Sequence, residues 1–304
     1  MIFDVIIIGG GAAGISSALW CDELGLRALL LEAGAELGGQ LLRVYNPIEN
    51  HLGVLAENGR ELRDIFVKQI QNYNFAIRLK TRASEINFEK KTVLIEEGEE
   101  FSARAIIIAT GVRRRKLNVE GEEEFKAKGI LESGKREQNS EKNKNVAVVG
   151  GGDAAFENAL ILADAARKVT LIHRGKEFRA RKEFVEKVSK NPKIEILRET
   201  VLTKLTGAKR LEKVELENLK TKETKILPAD AILLRIGVEP NTEILRGKLD
   251  LDENGYVKID SRCETNVKGV FAVGDVANPI SPTVSTAIGT GATAAKAILP
   301  NLNL

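Results

Sequence analysis

Residues 5–14 read VIIIGGGAAG, and this stretch decides the fold. Its four β-branched residues are typical of a short strand that is buried on both faces in a parallel sheet. Gly9, Gly11 and Gly14 then fit the pattern G-x-G-x-x-G. The first glycine allows a tight turn, the second lets the backbone approach a pyrophosphate, and the third lets a helix pack on the strand.

A helix and an acidic residue follow at the spacing that this pattern requires. The helix is predicted to begin near Ala12, with Ala13 in its first turn, so its positive N-terminal end faces the phosphates. Residues 29–31 form the next predicted strand, and Glu32 ends it with a carboxylate that can accept hydrogen bonds from both ribose hydroxyls. Together these features predict a dinucleotide-binding α/β unit.

The composition indicates a soluble enzyme with room for two domains. The chain has 304 residues and a formal net charge of +3 with both signs interspersed, which argues against a nucleic-acid surface. No apolar run approaches the length of a membrane span, and we see no export signal before the first strand. Cys21 and Cys263 are the only thiols, which gives no disulfide framework and fits a reducing compartment. We therefore expect a cytoplasmic protein.

Periodicity predicts further elements between the motifs. Apolar residues at helical spacing predict an amphipathic helix over residues 58–72, and short antiparallel strands are predicted between residues 77 and 101. Residues 105–108 form another predicted buried strand, which ends in a turn made by Ala109, Thr110 and Gly111.

The chain repeats its opening pattern in its second half. Residues 146–155 read VAVVGGGDAA, which matches the first fingerprint with alanine in the third small position. Two such units predict two nucleotides. In place of Glu32 the second unit has His173, followed by Arg174, and cations there favour a 2′-phosphate. The first site therefore suits FAD, and the second suits NADPH better than NADH.

Together these residues resemble the low-molecular-weight thioredoxin reductase family over nearly the whole chain. Besides the two fingerprints, the motifs that carry the resemblance are residues 38–41 (GGQL), 48–50 (IEN), 109–111 (ATG), 173–174 (HR), 178–180 (FRA), 240–242 (PNT) and 269–276 (GVFAVGDV). The resemblance implies an α/β fold of two Rossmann-like dinucleotide-binding domains of the three-layer ββα type. In that fold the nicotinamide domain is inserted into the FAD domain.

The resemblance also assigns cofactor contacts to particular residues. Asp275 would hydrogen-bond the FAD ribityl chain, Asn50 would contact the isoalloxazine side, and the helix from Thr283 would direct its N-terminus at the flavin. The expected FAD residues are Gly9, Gly11, Ala12, Ala13, Gly14, Glu32, Ala33, Gly39, Gln40, Leu41, Asn50, Ala83, Ala109, Thr110, Gly111, Gly274, Asp275, Thr283 and Val284. The expected NAD(P)H residues are Gly150, Gly152, Asp153, Ala154, His173, Arg174, Arg179, Ile236 and Gly237.

Domain boundaries and an assembly follow from the same resemblance. The FAD domain would comprise residues 1–112 and 240–304, and the NAD(P)H domain residues 113–239. Both crossings follow a glycine turn, so the short paired linkers suit the domain rotation by which the family brings nicotinamide to flavin. The family is homodimeric, and we expect a homodimer here.

One departure from the family changes the expected chemistry. Family members that reduce thioredoxin carry Cys-x-x-Cys before the second fingerprint, and the same spacing counted back from Gly150 lands on Ser133 and Arg136. A dithiol relay needs one sulfur to attack and one to resolve, so we assign no catalytic residue of that kind. We expect Cys21 and Cys263 to be structural, and disulfide reduction in the family's way to be absent.

Smaller departures concern the cofactor sites and a covering segment. Pro282 and Thr283 stand where the reductases have an Arg-Gln pair, and Gly175 stands where a second arginine would strengthen the 2′-phosphate site. The related ferredoxin or flavodoxin NADP reductases carry a C-terminal extension over the flavin, whereas this sequence stops at Leu304. We therefore expect an open flavin edge and only a modest preference for NADPH.

Other polar segments have plain structural interpretations. Residues 113–116 (RRRK) could dock an acidic partner such as ferredoxin, but they fall where a solvated linker is expected. Residues 132–145 are predicted to form an exposed polar loop, and His51 is a candidate for proton transfer near the isoalloxazine. The sequence shows no metal-ligand spacing and no Ser/His/Asp arrangement, so we expect no metal.

The whole sequence predicts an FAD-dependent NAD(P)H oxidoreductase. Hydride would pass from nicotinamide to flavin, and the electrons would then pass to an unidentified acceptor, a small molecule or a redox protein. Catalysis would consist mainly of orienting two cofactors, so no side chain need act as acid or base. Two alternatives remain open: a ferredoxin or flavodoxin NADP reductase, and a flavin-binding sensor or interaction module without turnover. Intact glycines in both fingerprints favour the enzyme.

Overall fold

The structure is a computed structural model that describes residues 2–301; Leu304 lies outside the described residues. The chain divides into two compact units. Residues Arg114–Val238 form one, which we call the inserted unit, and the segments before and after it form the other, which we call the outer unit.

The outer unit before the insertion alternates strands and helices. Its elements are β1 (Ile2–Ile8), α1 (Ala12–Glu23), β2 (Ala28–Leu31), α2 (Gly59–Gln69), β3 (Ala76–Arg78), β4 (Ala83–Asn87), β5 (Thr92–Ile95) and β6 (Glu100–Ile108).

The chain crosses into the inserted unit in β7 and returns in β16, and these two strands pair with each other. The elements from the first crossing onward are β7 (Val112–Arg114), β8 (Ile130–Leu131), α3 (Gly134–Glu137), β9 (Asn145–Val149), α4 (Asp153–Ala165), β10 (Lys168–Ile172), α5 (Lys182–Lys190), β11 (Ile194–Leu197), β12 (Thr200–Thr206), β13 (Lys213–Asn218), β14 (Thr224–Pro228), β15 (Ala231–Leu234) and β16 (Val238–Pro240). The outer unit then resumes with β17 (Val270–Ala272) and α6 (Val284–Ile298).

The outer unit is built around one sheet in the order β3-β2-β1-β6-β5-β4, with β17 also beside β6. Strands β1, β2, β3, β6 and β17 are parallel, and β4 and β5 form an antiparallel extension. Alternate residues of β1 face opposite sides: Val5 and Ile7 pack with α1 and α6, while Ile6 and Ile8 pack with apolar side chains of β4 and β5. This alternation produces the ββα layering.

The inserted unit has the same layering. Its parallel sheet runs in the order β11-β10-β9-β15-β8, and β12-β13-β14 form a separate antiparallel sheet. Val148 packs with helical residues such as Phe156, whereas Val149 packs with residues of the antiparallel sheet such as Leu202. The predicted α/β class with two Rossmann-like domains, one inserted into the other, is therefore confirmed.

Several local predictions need correction. Residues 76–78 pair in parallel with β2 at the edge of the outer sheet and do not belong to the antiparallel strands predicted between residues 77 and 101. The two glycines of residues 38–41 predict a loop, whereas the structure has a 3₁₀ helix over Gly39–Arg43. In α2, Leu62 is buried but Ile65 is exposed, because the buried face is narrower than the apolar pattern suggested. Within residues 2–301 we find no helix with the length and hydropathy to cross a membrane.

Candidate functional site

The glycines of the turn after β1 serve two different purposes. Gly9 has φ +109°, and a Cβ there would overlap the carbonyl oxygen of Ala109. A Cβ at Gly14 would overlap the carbonyl oxygen of Gly9. At Gly11, by contrast, the nearest atom to a Cβ would be the Cα of Gly39, 3.9 Å away. Packing within the chain therefore requires Gly9 and Gly14, whereas a Cβ at Gly11 would make only an ordinary van der Waals contact, so the chain itself does not require glycine there.

The N-terminus of α1 at this turn has no side-chain cap. Gly11 is the N-cap residue with an extended backbone, and the first turn holds no acidic residue. The first N–H groups of a helix, here those of Ala12 and Ala13, have no partner within the helix. Together with the helix dipole they form a site for an anion such as a pyrophosphate.

Glu32 lies just past β2 and is held beside the same turn. Its carboxylate accepts hydrogen bonds from the backbone N–H groups of Gly10, at 2.7 Å, and Gly34, at 2.6 Å. A carboxylate has about four acceptor positions, so room remains for two ribose hydroxyls. Ala33, between these contacts, is exposed. The acid is thus fixed in position for the role that its sequence position predicts.

Other predicted FAD segments converge on the first turn of α1. A Cβ at Gly39 would lie 3.0 Å from the Cα of Gly11, and one at Gly274 would lie 2.8 Å from the Cβ of Ala13. Leu41, Ala12 and Val284 belong to one apolar cluster. The glycines permit this close approach, so parts of the chain that are distant in sequence meet at one end of α1.

Asp275 directly follows Gly274 and lies in the 3₁₀ turn Gly274–Val276. The turn is fixed because Gly274 N–H donates to Thr290 Oγ1 at 3.0 Å. The Asp275 side chain is half-buried, and burial raises its pKa. Its carboxylate has no hydrogen-bond partner among residues 2–301. A desolvated carboxylate without a donor fits the hydroxyl groups of a ribityl chain.

The helix α6 begins at the same place and packs tightly on α1. Thr283 caps it, and its side chain and that of Thr286 form a capping box. A Cβ at Gly291 would lie 2.5 Å from the carbonyl oxygen of Ala13, and Ser16 Oγ donates to the Ile288 carbonyl at 2.8 Å. The N-terminus of α6 is therefore held beside the cluster of Ala12, Leu41 and Val284.

Three other predicted FAD residues make contacts elsewhere in the outer unit. The Gln40 amide donates to the Val112 carbonyl at 2.6 Å. Asn50 is exposed in a loop that the contact between His51 Nδ1 and Ser285 Oγ, 3.1 Å long, ties to the start of α6. Ala83 is buried at the start of β4 in the layer on the other face of the sheet.

The turn at residues 109–111 is held by Asn241, which belongs to the PNT motif but was given no role from the sequence. Asn241 Nδ2 donates to the Thr110 carbonyl at 2.8 Å, and Thr110 Oγ1 donates to the Asn241 carbonyl at 2.8 Å. Gly111, with φ +64°, accepts from Asn241 N–H at 2.9 Å. The motif of residues 240–242 was the available signal, since a side-chain amide can both donate to and accept from a turn.

The second glycine turn, after β9, repeats the first. Gly150 has φ +154°, and a Cβ there would overlap the Arg235 carbonyl oxygen. Nothing lies within 4 Å of a Cβ at Gly152, which begins α4 without a side-chain cap. In the first turn, the Asp153 carboxylate is occupied by Arg181, through N–H at 2.7 Å and Nε at 2.8 Å. Asp153 and Ala154 can thus offer a nucleotide their backbone N–H groups.

The cations after β10 surround this turn. Arg179 N–H donates to the Gly151 carbonyl at 2.8 Å, so Arg179 lies beside the glycines. Arg174 and Arg179 are exposed, and neither forms an ion pair with another described residue. His173 instead packs its ring on Gly151 and makes a 2.9 Å contact with the Glu177 carbonyl through Nε2. The two exposed arginines fit a 2′-phosphate, whereas the His173 ring already makes contacts within the turn.

Gly175, one of the departures from the family, lies against the same histidine. A Cβ at position 175 would lie 2.9 Å from His173 Nε2. A side chain at this position would therefore require the His173 ring to shift. Beyond β15, Gly237 has φ +94° in an open position, and Ile236 is half-buried.

The segment that replaces the family dithiol is not the exposed loop predicted for residues 132–145. Ser133 is buried and caps α3, accepting a hydrogen bond from Arg136 N–H at 3.4 Å. Glu137 accepts from Ser133 N–H at 2.8 Å, and Arg136 pairs with Glu132 at 2.7 Å. The polar side chains form a helical turn because they satisfy its backbone groups.

The two cysteines are buried in the outer unit. Cys21 is 0% exposed and Cys263 is 4% exposed, both within one apolar cluster. Burial raises the pKa of Cys21 to about 12 and that of Cys263 to about 11. Both thiols are therefore protonated and unreactive near neutral pH. Among the residues that the structure describes, no group of His, Cys, Asp or Glu is arranged to hold a metal ion.

The basic segment at residues 113–116 is held by the chain itself. Arg113 pairs with Glu239 and Glu243, and Lys116 pairs with Glu123. Arg115 donates to the Val238 carbonyl. Because these cations stabilise the connecting strands, the segment does not form a free docking patch.

Comparison with known proteins agrees with this geometry. The family model described as pyridine nucleotide-disulphide oxidoreductase matches residues 3–291. The chain is 34% identical to the thioredoxin reductase of Peptoclostridium litorale, with 97% of this chain and 95% of the relative aligned, and 36% identical to that of Mycolicibacterium smegmatis, with 96% and 94% aligned. The crystal structure of Lactococcus lactis thioredoxin reductase superposes with a TM-score of 0.86 at 32% identity, covering 99% of this chain and 100% of that one. The chain therefore belongs to the pyridine nucleotide-disulphide oxidoreductases and is a flavin-dependent NAD(P)H oxidoreductase similar to the thioredoxin reductases, which use FAD and NADPH.

Proposed function

We propose that this enzyme passes electrons from reduced FAD directly to an external acceptor, without a disulfide of its own. The observation that carries this proposal is the state of its thiols. The chain has two cysteines, and both are buried with raised pKa values. Ser133 and Arg136, at the positions of the family dithiol, cap and brace a helical turn. Neither side chain can attack or resolve a disulfide.

The outer unit would hold FAD. The glycine turn at Gly11 and the free N–H groups of α1 would bind the pyrophosphate, and Glu32 would bind the adenosine ribose. Asp275 would orient the ribityl chain, since its carboxylate lacks another donor among the described residues. Bound FAD would supply the group that accepts hydride and releases electrons. The side chains around the first turn of α1 would fix its orientation and exclude water.

The inserted unit would hold the nicotinamide coenzyme, with NADPH preferred over NADH. Gly152 and the uncapped start of α4 fit the pyrophosphate. Arg174 and Arg179 fit a 2′-phosphate because they are exposed cations beside that turn. The preference is modest, because Gly175 removes a third contact.

The acceptor would be a quinone, a dye, oxygen or a redox protein, and the enzyme would act as a homodimer. For a quinone the balance is quinone plus NADPH plus a proton, giving hydroquinone and NADP⁺. A ferredoxin acceptor is less favoured, because Arg113 and Lys116 of the basic segment form ion pairs with glutamates of the chain itself. Similar proteins are named thioredoxin reductases, so thioredoxin is the acceptor against which the proposal must be tested.

The test compares acceptors in one preparation. The FAD-loaded protein is mixed anaerobically with NADPH, and flavin absorbance should bleach. A quinone should then restore the oxidised spectrum, whereas thioredoxin with a chromogenic disulfide should release no thiol above background. A Cys21→Ala, Cys263→Ala double variant serves as the matched control. Robust disulfide reduction that disappears in this variant would overturn the proposal.

A further inference from the structure

Arg235 lies at the carboxyl edge of the inserted sheet. The strands β10, β9, β15 and β8 are parallel neighbours, so their carboxyl ends share this edge. His173 and Arg174 follow β10, the glycine turn follows β9, and Arg235 follows β15. In such sheets a dinucleotide lies across the carboxyl ends, with its pyrophosphate at the glycine turn.

The two halves of the coenzyme must therefore lie on opposite sides of β9. The 2′-phosphate half occupies the β10 side, where Arg174 and Arg179 are exposed. The nicotinamide half then extends over β15 and β8, where Arg235 and Arg114 meet. Sequence reasoning missed Arg235, although a lone cation directly after a buried strand at this edge was a usable signal.

The surroundings of Arg235 make it a candidate for binding an anion. Its Nη1 donates to the Leu234 carbonyl at 2.9 Å and its Nη2 to the Glu132 carbonyl at 3.0 Å. Both acceptors are neutral, and no carboxylate forms an ion pair with Arg235 among residues 2–301. A guanidinium has five N–H donors, so donors remain for a ligand.

A second guanidinium lies at the same carbonyl. Arg114 Nη1 also donates to the Glu132 carbonyl oxygen, so two positive groups share one neutral acceptor. Burial, followed by the charge of Arg114, lowers the pKa of Arg235 to about 10. The charges of Glu137 and Glu157 act on this pKa in the opposite direction and more weakly. A bound phosphate would relieve this repulsion, since charge-assisted contacts to phosphate are among the strongest hydrogen bonds.

We propose that Arg235, with Arg114 beside it, binds the nicotinamide-side phosphate of NAD(P)H and thereby positions the nicotinamide half. The inference rests on the proposed coenzyme site of the inserted unit. It assigns the two coenzyme halves to different arginines: Arg174 reads the 2′-phosphate, whereas Arg235 contacts a group that NADPH and NADH share.

The test is binding to the oxidised, FAD-loaded protein by titration calorimetry, with no turnover required. The probes are NADP⁺, NAD⁺ and 2′,5′-ADP, which lacks the nicotinamide half. Arg235→Met should weaken NADP⁺ and NAD⁺ by roughly 10- to 100-fold and leave 2′,5′-ADP unchanged. Arg235→Lys should recover part of the loss, because it keeps the charge. Arg174→Ala is the matched control: it should weaken NADP⁺ and 2′,5′-ADP and leave NAD⁺ unchanged.

Two results would overturn the inference. Unchanged NADP⁺ and NAD⁺ binding in Arg235→Met would mean that the arginine does not contact the coenzyme. Equal weakening of NADP⁺ and 2′,5′-ADP would show that Arg235 only supports the fold of the site. Neither result depends on which acceptor takes the electrons, so the inference and the proposed acceptor chemistry can fail separately.

Discussion

Two alanine substitutions in the first glycine turn should separate protein stability from FAD binding. Gly14→Ala should lower stability, whereas Gly11→Ala should lower only the affinity for FAD. At Gly14 a Cβ would overlap the Gly9 carbonyl oxygen, which is backbone and cannot move aside. At Gly11 the nearest atom to a Cβ would be 3.9 Å away, and φ is −75°, which alanine adopts without strain. The first change therefore disturbs the protein, and the second disturbs only what binds there.

The magnitudes follow from these contacts. Overpacking of this kind costs about 1–3 kcal/mol, so Gly14→Ala should lower the Tm of the flavin-free protein by roughly 2–12 °C. For Gly11→Ala, the N-cap loss of about 0.5–1 kcal/mol is offset by about 0.4–1 kcal/mol from a less flexible unfolded chain. Its Tm should stay within about 2 °C of the parent. Its Cβ would occupy the pyrophosphate space and remove about 1.5–3 kcal/mol of FAD binding, roughly 10- to 150-fold.

The assay measures both quantities on the same preparations. Thermal unfolding of the flavin-free proteins gives stability, and titration with FAD, followed by the quenching of its fluorescence, gives affinity. If Gly11→Ala bound FAD as tightly as the parent, the pyrophosphate could not lie against Gly11. If it instead lost as much stability as Gly14→Ala, the conclusion that the chain tolerates a Cβ at Gly11 would be wrong.

Three further predictions concern single side chains. Arg174→Ala should raise the KM for NADPH by roughly tenfold or more, the loss of one phosphate contact, and leave that for NADH nearly unchanged; equal effects in steady-state assays would contradict a role in reading the 2′-phosphate. Asp275→Asn should keep or slightly increase the stability of the flavin-free protein at pH 7, because burial raises the pKa of Asp275 and so disfavours its charged form. The same substitution should weaken FAD binding. A loss of stability with unchanged FAD affinity would refute this prediction. Because burial raises the pKa values of Cys21 and Cys263, the folded state holds these protons at a pH where the unfolded chain loses them. The free energy of unfolding should therefore fall above about pH 9, by up to about 1.4 kcal/mol per pH unit for each thiol. Denaturant unfolding between pH 8 and 11 should show a shallower fall in the double alanine variant than in the parent.

The sequence predicted those features that depend on local pattern. Glycine turns, buried strands and helix starts were predicted correctly. Backbone contacts exclude a side chain at Gly9, Gly14 and Gly150, so these glycines stand at fixed distances from the strand before them and the helix after them. The layering followed because runs of β-branched residues are buried on both faces in the two parallel sheets.

Features that depend on side-chain direction or on distant partners could not be predicted. Nothing in the sequence indicates that Ser133 is buried as a helix cap, since a polar segment is equally compatible with an exposed loop. The sequence placed His173 at the coenzyme site, but it could not show that the ring packs on Gly151. It placed Asp153 there as well, but it could not show that the carboxylate pairs with Arg181, 28 residues away. In each case the intramolecular partner is visible only in the folded chain.

The most direct test of the central claim is a count of electrons. Anaerobic titration of the FAD-loaded protein with dithionite, followed by absorbance, gives the electrons taken up per flavin. FAD accepts two electrons, and a redox-active disulfide would accept two more. With Cys21 and Cys263 buried and Ser133 and Arg136 at the dithiol positions, we predict that the titration ends at two electrons per FAD. An end point of four would show a redox-active disulfide and contradict the account.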